Sequence, residues 1–590
     1  MFDLFWLTTL VPGFALMRVC FPADVRRGLL PMVTWSFLLT SAIMAPIVAL
    51  AFTVHLSVQT VSVIYFILLV ASAISLGRTG WVRTVRQLVR STHWFEVGLV
   101  ILAVAATIPF GGSATDDSFP HAAKIRYMRD VGFYLQDPYS PLTVIETKWH
   151  VSVPHTFYAI ESWLGDIEPL DLWFRTAWFF RLTGIGGVGF LAATVFRSRW
   201  ISSVSMLGVL VYLAMKKAVA YPFSMTAFTV FPVLLALTID VLEKPSRSRY
   251  VRVALCSLAL AAMHVGTWFV DCLALAPTVV VWAIWRNGFR EAWPRILKIG
   301  AALAVGLPFL LVSALQPNYV DAQQGDQHLW MIRTIHLGSL WSFTVIDPTH
   351  YSWMLPMLAA ILLLLIVGRS LVPRVAILAG TLVTAMIFMF TPGLVDALSK
   401  LIPYWLAWRF RFVGEVIGFV TVAGGLAWVM RPVLPTRLAR MGLALAVLCG
   451  ALAVFRQDIL DYAMDRSRHR LWLQNARELQ AAVRDVIPPH SLVVADPQWS
   501  LVLPAVHLAR VMGQDLHHAN PADGEMLERY AEAGELLDEK TSVDRRRQII
   551  ARNHIDFILV KEGAESKARF DDLGPLVSSR HGFLIYKLTN

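Results

Sequence analysis

Apolar runs of membrane-crossing length recur along the chain as far as residue 455, separated by shorter polar stretches. A helix needs about 20 apolar residues, within a range of roughly 17–25, to cross the hydrocarbon of a bilayer. On that rule, spans are predicted near 3–20, 29–53, 58–77, 95–110, 178–196, 200–215, 225–242, 251–267, 269–285, 298–315, 351–368, 374–391, 413–430 and 438–455. This is about fourteen transmembrane helices. Beyond them charge rises from Arg466 onward, and no further apolar run of that length occurs. There the pattern shortens. "HSLVVADPQWS" reads as strand then loop, "DFILVKEG" and "FLIYKLTN" as strands, and "DGEMLERYAEAGELLDEKTSVDRRRQIIARNH" as helix. The chain thus reads as a polytopic α-helical membrane protein followed by a small α/β domain of roughly 120 residues.

The polar stretches alternate in character. Every loop from an odd-numbered run to the next even-numbered one is basic, from Arg18, Arg26 and Arg27 after the first to Arg431, Arg437 and Arg440 after the thirteenth. Short loops rich in Lys and Arg stay on the cytoplasmic side. The remaining segments then face outward, which in a Gram-negative cell is the periplasm. The chain divides into N-terminal helices (1–110), an outward loop (111–177), a second helical block (178–455) with outward segments 316–350 and 392–412, and an outward tail (456–590). A bacterial inner-membrane location follows, with the N-terminus and the tail periplasmic. The segment "GRTGWVRTVRQLVRST", 77–92, interleaves apolar residues with arginines and reads either as an interfacial helix or as a basic linker.

Composition agrees. The chain is 56% hydrophobic and 16% charged, with mean hydropathy +0.57, whereas soluble domains carry about a quarter charged residues. The net charge of +11 is explained by the inner loops, so no nucleic-acid partner is needed. Cys20, Cys256, Cys272 and Cys449 lie in or beside apolar runs and show no disulfide or metal spacing. The N-terminus lacks a basic n-region and a clear small-residue cleavage site, and is read as a first span.

Candidate chemistry lies on the outward side. The loop 111–177 opens with Asp116 and Asp117 just beyond an apolar run. Such a pair can supply a general base for an acceptor hydroxyl, or hold a hard divalent cation such as Mg or Mn. It can equally cap the helix that "SFPHAAKIRYMRD" predicts. The same loop holds His121, Lys124, Glu146, His150 and His155, each open to a site role or a structural one. "VPHTFYAIESWLG" has helical spacing and reads as a helix along the outer surface, with Phe157, Ile160 and Leu164 as packing residues. In "LIPYWLAWRFRFVGEV", Arg409 and Arg411 sit among Trp408, Phe410 and Phe412 at the mouth of a span. Arginine forks suit phosphate oxygens; the alternative is an interfacial anchor. With Lys124 they form the candidate phosphate-binding cations. His264 and Asp271 lie within apolar sequence near the outer end of two spans, either paired with each other or facing a site. Tyr221 and Pro222 also open outward, and Asp321, Asp326 and His328 lie in a segment that could fold over a site as a flap.

These stretches resemble the GT-C superfamily of membrane glycosyltransferases. The resemblance rests on Asp116-Asp117 followed by "FPHAAKIRYMRD", on "VPHTFYAIESWLGDIEPL", on "IPYWLAWRFRF", and on "VVADPQWSLVLPAVHLARVM", "IDFILVKEG" and "GFLIYKL" in the tail. It covers most of the chain through short, degenerate motifs. It implies a polyprenyl-phosphate-linked sugar as donor, inverting transfer on the outer face, and a glycan, glycolipid or protein acceptor. It also implies a divalent metal in some members, Asp116 or Asp117 as base, and Arg409 or Arg411 at the donor phosphate. The departure is that about three extra spans precede the acidic motif, where the commonest family pattern has it after the first.

Three other readings remain open from sequence, one of them a non-catalytic envelope-assembly scaffold whose working part is the tail. An O-antigen ligase or polymerase would use outward Arg and His groups without an acidic base. A lipid-linked-glycan transporter would need ionisable residues along a path to both faces, whereas those found here cluster near the outer one.

Overall fold

The computed structural model describes residues 4–78, 82, 94–105, 118–141, 151–215, 226–314, 332–337, 341–346, 354–399, 408–434, 436–514, 518, 520, 522–563 and 570–588. Inside a bilayer the backbone must satisfy its own hydrogen bonds, so each long apolar run has to become a helix. Among the described residues eight helices are long and apolar enough to cross: Leu29–Thr53, Val58–Arg78, Pro169–Phe196, Thr226–Glu243, Val265–Asn287, Phe289–Val312, Val372–Phe390 and Phe410–Met430. Phe5–Cys20, Phe95–Ala105, Arg199–Ala214, Met357–Val367 and Ala439–Val454 are shorter apolar helices. The run near 251–267 is the helix Arg247–Met263, whose first turns carry arginines. Each predicted run is thus helical over most of its described residues, but not all fourteen are of crossing length by themselves. The chain is a multi-pass membrane protein.

Close backbone contact holds the bundle together. A Cβ on Gly13 would lie 1.8 Å from Ser36 O, and one on Gly187 would lie 2.3 Å from Phe228 O. Small residues at such crossings let helices meet in lipid, where no hydrophobic force drives association. Two spans contain π-helical turns, Thr226–Val230 and Val420–Gly424.

The alternating loops sort to opposite ends. At one end Arg27 bonds Asp24 (3.2 Å) and Asp240 (2.7 Å), and Arg252 reaches Asp24 (3.1 Å). Glu243 takes Arg374 (2.6 Å) and Arg197 (2.8 Å). These residues come from the loops read as basic and inward, or from the helix ends beside them.

At the other end lie the helices Ser118–Asp130 and Val153–Gly165 and the tail. The segment read as a surface helix is helical, but its first ten residues are buried. Phe157 and Ile160 enter the bundle core, while Leu164 is exposed. An antiparallel hairpin, β1 (Ile332–Leu337) with β2 (Trp341–Ile346), occupies part of the segment 316–350.

The tail begins with the helix Arg456–Val483. Its strands are β3 (Leu492–Ala495), β4 (Arg510–Val511), β5 (Phe557–Lys561), β6 (Leu576–Arg580) and β7 (Phe583–Lys587), in the order β4-β3-β5-β7-β6. β3 runs parallel to β4 and β5, and β7 antiparallel to β5 and β6. Alternate residues of the central strands serve two cores. Phe557, Leu559, Phe583 and Ile585 face one; Ile558, Val560, Leu584 and Tyr586 face the other. This two-sided burial explains why the strand segments read as continuous apolar runs. After β3 the chain forms the helix Pro497–Val506 where a loop was expected, because Pro497 stands in the first turn, where proline favours helix. The long stretch read as helix is two helices, Met526–Leu537 and Val543–Asn553. Ser542 caps the second through the Arg545 N–H.

The tail is bolted to the membrane part. Arg126 Nε donates to Ala505 O (3.0 Å), Tyr139 Oη to Leu501 O (2.8 Å), and Ser140 Oγ to Asp523 (2.8 Å). Phe119, Ala122 and Ala123 belong to the tail's core, whereas Ile125 and Met128 belong to the bundle's. The helix Ser118–Asp130 is therefore the shared element between the two.

Candidate active site

That helix is polar in composition, yet all eleven residues from Ser118 to Met128 are buried. Burying His121, Lys124 and Arg126 together is costly unless each is bonded or used. Arg126 is accounted for by Ala505 O and by Glu168, to which it also bonds. His121 and Lys124 lie one turn apart and so share a helix face.

The Val153–Gly165 helix meets this face. His155 Nε2 lies 2.8 Å from His121 Nδ1, and His155 Nδ1 lies 2.7 Å from Ser152 Oγ. The two imidazoles stack at 5.0 Å, and Trp173 covers the His121 ring at 4.9 Å and 17°. Lys124 Nζ stands 5.3 Å from the Phe52 ring centroid. Burial pushes the His155 imidazole down to about 3, helped by the charge of Lys124. Burial likewise holds His121 well below the usual histidine range, reinforced by His155, His264, His518 and Arg409. Both rings are neutral at physiological pH.

A second group comes from the spans. His264 ends the Arg247–Met263 helix and starts the next in an extended conformation. Its Nδ1 accepts the Thr267 N–H (3.1 Å), so the ring serves as an N-cap. A ring nitrogen that accepts a hydrogen bond carries a lone pair, so His264 is neutral. Arg409, 8% exposed, donates to Thr267 Oγ1 (3.0 Å) and has Nη1 2.9 and 3.1 Å from the two His264 ring nitrogens. One turn beyond Thr267, Asp271 is 3% exposed. Its Oδ2 has no hydrogen-bond partner among the described residues, and it sits within electrostatic reach of Arg409. The pairing of His264 with Asp271 does not form; His264 is engaged by Arg409 and Thr267 instead.

The structure therefore brings His121 and Lys124 of one helix near His264 and Asp271 at the start of a second and Arg409 at the start of a third. It sends Arg411 elsewhere. Residues 409 and 411 are two apart at the start of a helix, so their side chains diverge. The Arg411 guanidinium lies 3.3 Å from the Trp408 ring centroid and 4.7 Å from that of Phe412. Its Nε is 3.7 Å from Glu415, which also accepts the Tyr212 hydroxyl (2.8 Å).

Asp116, Asp117, Glu146 and His150 lie outside the described residues, as do Tyr221, Pro222, Asp321, Asp326, His328 and most of 77–92. Among the described residues no group of three or more His, Cys, Asp or Glu side chains is placed to hold a metal ion. Sequence reasoning missed Ser152, Thr267, Trp173 and His518. Thr267 carries no ordinary capping signal, since a histidine N-cap with a threonine three positions later is outside the usual Ser, Thr, Asp or Asn pattern. His518, in "QDLHHAN", carries no such signal.

The fold is similar to the crystal structure of ArnT from Cupriavidus metallidurans bound to undecaprenyl phosphate, at 11% identity and TM-score 0.49 over 86% of this chain and 98% of that one. The apo state of the same protein aligns at 11% identity and TM-score 0.45 over the same shares. The archaeal oligosaccharyltransferase AglB from Archaeoglobus fulgidus, in complex with an inhibitory peptide and a dolichol-phosphate, aligns at 10% identity and TM-score 0.45 over 80% of this chain and 69% of that one. No protein-family model and no curated protein sequence matches the chain.

Proposed function

We propose that this chain is a GT-C-type glycosyltransferase of the bacterial inner membrane. It transfers a sugar from a polyprenyl phosphate to an envelope glycan, glycolipid or protein on the periplasmic side. One observation carries the reading: Lys124 and Arg409, far apart in the sequence, both stand within electrostatic reach of the buried contact pair His155 and His121. Two cations set among neutral donors, at the end of the bundle where the tail docks, suit a phosphate carried on a lipid. A sugar phosphate tethered to a polyprenyl chain stays at the membrane, so its enzyme must offer charge at that depth.

The chemistry follows from the groups. An acceptor hydroxyl oxygen attacks the anomeric carbon, the bond from that carbon to the phosphate oxygen breaks, and the polyprenyl phosphate leaves with the bonding pair. Lys124 and Arg409 stabilise the charge growing on the leaving phosphate. Thr267 and His264 hold the Arg409 guanidinium in place, so little reorganisation is needed as charge develops. The hydroxyl proton goes to a carboxylate. Asp116 and Asp117 take this role in the proposal, since Asp117 directly precedes Ser118, the first residue of the helix that bears His121 and Lys124.

The test uses purified protein in nanodiscs, a panel of polyprenyl-phosphate sugars, and release of polyprenyl phosphate as readout. Turnover that is lost in Asp116→Asn or Asp117→Asn, with the lipid still bound, supports the reading. Turnover that needs a diphosphate-linked glycan and survives in both variants replaces it with a ligase.

A further inference from the structure

The spans Val265–Asn287 and Phe289–Val312 are separated by one residue, Gly288. Its φ of +73° costs glycine little, so the chain turns from one helix into the next without a loop. The outside of this corner is aromatic. Trp285, Phe289 and Trp293 are 70%, 68% and 50% exposed, and the Phe289 and Trp293 rings stack at 6.1 Å and 20°. Leu297, also exposed, continues the four-residue spacing, so Phe289, Trp293 and Leu297 form one stripe along the helix. Rings at the end of a span sit at the level of the lipid head groups. Arg286 and Arg290 each follow an exposed ring by one position, about 100° round the helix. Both are exposed, and neither guanidinium forms an ion pair or hydrogen bond among the described residues. Other arginines at this end are engaged: Arg252 holds Asp24, Arg374 holds Glu243, and Arg295 donates to Asn287 (2.8 Å). The stretch 285–298 holds one carboxylate, Glu291. It is exposed, lies about 200° round the helix from Phe289, and pairs with neither arginine.

We propose that this corner seats one anionic phospholipid, with its head group on Arg286 and Arg290 and its acyl chains along Phe289, Trp293 and Leu297. The exposed stripe takes any acyl chain; the two unpaired guanidiniums select the head group. A zwitterionic head group carries its own cation into that space, whereas an anionic one brings net negative charge to both arginines. Attraction of this kind near a membrane surface is worth about fivefold in affinity per arginine, and so about thirty-fold for the pair. A second copy related by a twofold axis fits less well, since it would cover the rings only by setting two more guanidiniums against these two. The corner is at the far end of the span that begins beside His264. It therefore lies on the membrane face that carries the basic loops, and its occupancy does not depend on the reaction proposed for the other face.

The test uses the full-length protein, purified in detergent and stripped of lipid. It is titrated with phosphatidylglycerol or phosphatidylcholine of identical acyl chains, and bound lipids are counted by native mass spectrometry. The wild type is expected to bind the first phosphatidylglycerol about thirty-fold more tightly than the first phosphatidylcholine. Arg286→Gln/Arg290→Gln should abolish that preference and leave phosphatidylcholine affinity unchanged. Arg286→Lys/Arg290→Lys, which keeps the charge, should retain most of it. Arg369→Gln/Arg431→Gln removes the same charge from two other exposed arginines of the basic loops and should leave the preference intact. Trp293→Ala should weaken both lipids without changing their ratio. Equal affinities in the wild type overturn the proposal. So does an equal loss of preference in the two Gln double variants, which would make the attraction one of overall charge. A dimer that needs Trp293 and excludes lipid would give the corner to a second copy and overturn the proposal as well.

Discussion

The His155 imidazole links the site to pH in a way that can be worked through. Its value falls from about 6.5 in an exposed chain to about 3 when buried. Between these values the exposed ring binds a proton that the buried ring refuses. Stability from burying it neutral is therefore complete above pH 6.5 and is lost as pH falls toward 3. The slope approaches about 1.36 kcal/mol per pH unit below pH 6.5, so descending from about pH 7.5 to 5 costs about 2 kcal/mol. As an equilibrium for opening the segment to water, that is about thirty-fold. His121 shifts in the same direction, so the effect of this one ring is a lower bound. The assay is hydrogen exchange of the Ser118–Asp130 and Val153–Gly165 amides, corrected for the intrinsic pH dependence of exchange. The corrected protection should drop between pH 6.5 and 5 in the wild type and drop less in His155→Gln, whose side chain does not titrate. Parallel curves for the two proteins, or flat protection in the wild type, would refute the reasoning.

Arg409 and Arg411 should separate cleanly. Arg409→Lys loses the fork that reaches Thr267 and His264 together, and undecaprenyl phosphate affinity should fall about tenfold or more. Arg411→Lys disturbs stacking on Trp408 and should change that affinity less than about threefold, the size of a weak cation–π contact; equal losses would reunite the two arginines in one site. Asp271→Asn removes a buried carboxylate whose Oδ2 has no hydrogen-bond partner among the described residues. Resistance to denaturation should rise by about 1–3 kcal/mol while turnover falls, and a variant that is both less stable and fully active would mark Asp271 as structural.

Much of the architecture was written locally. Runs of apolar residues long enough to cross a bilayer specify helices because nothing else satisfies their backbone there, and the predicted runs are helical over most of their described residues. The alternation of basic loops anticipated which loops would meet, as the Arg27, Asp240 and Arg252 network shows. The site was half legible. His264, Asp271 and Arg409 stand out because ionisable groups are rare in apolar sequence, and Lys124 and His121 because they follow an acidic pair at a membrane exit. Their grouping was not legible. A one-dimensional pattern does not say that a span end near 264 and one near 409 will meet a helix beginning at 118. Nor did it show that Arg409 and Arg411 would divide, since that depends on which helix face each occupies once the helix starts at Phe410. The burial of Ser118–Met128 was invisible for the same reason: its composition is that of a surface helix. Only the packing of the tail on one side and the bundle on the other removes it from water, and that burial is what makes His121 neutral.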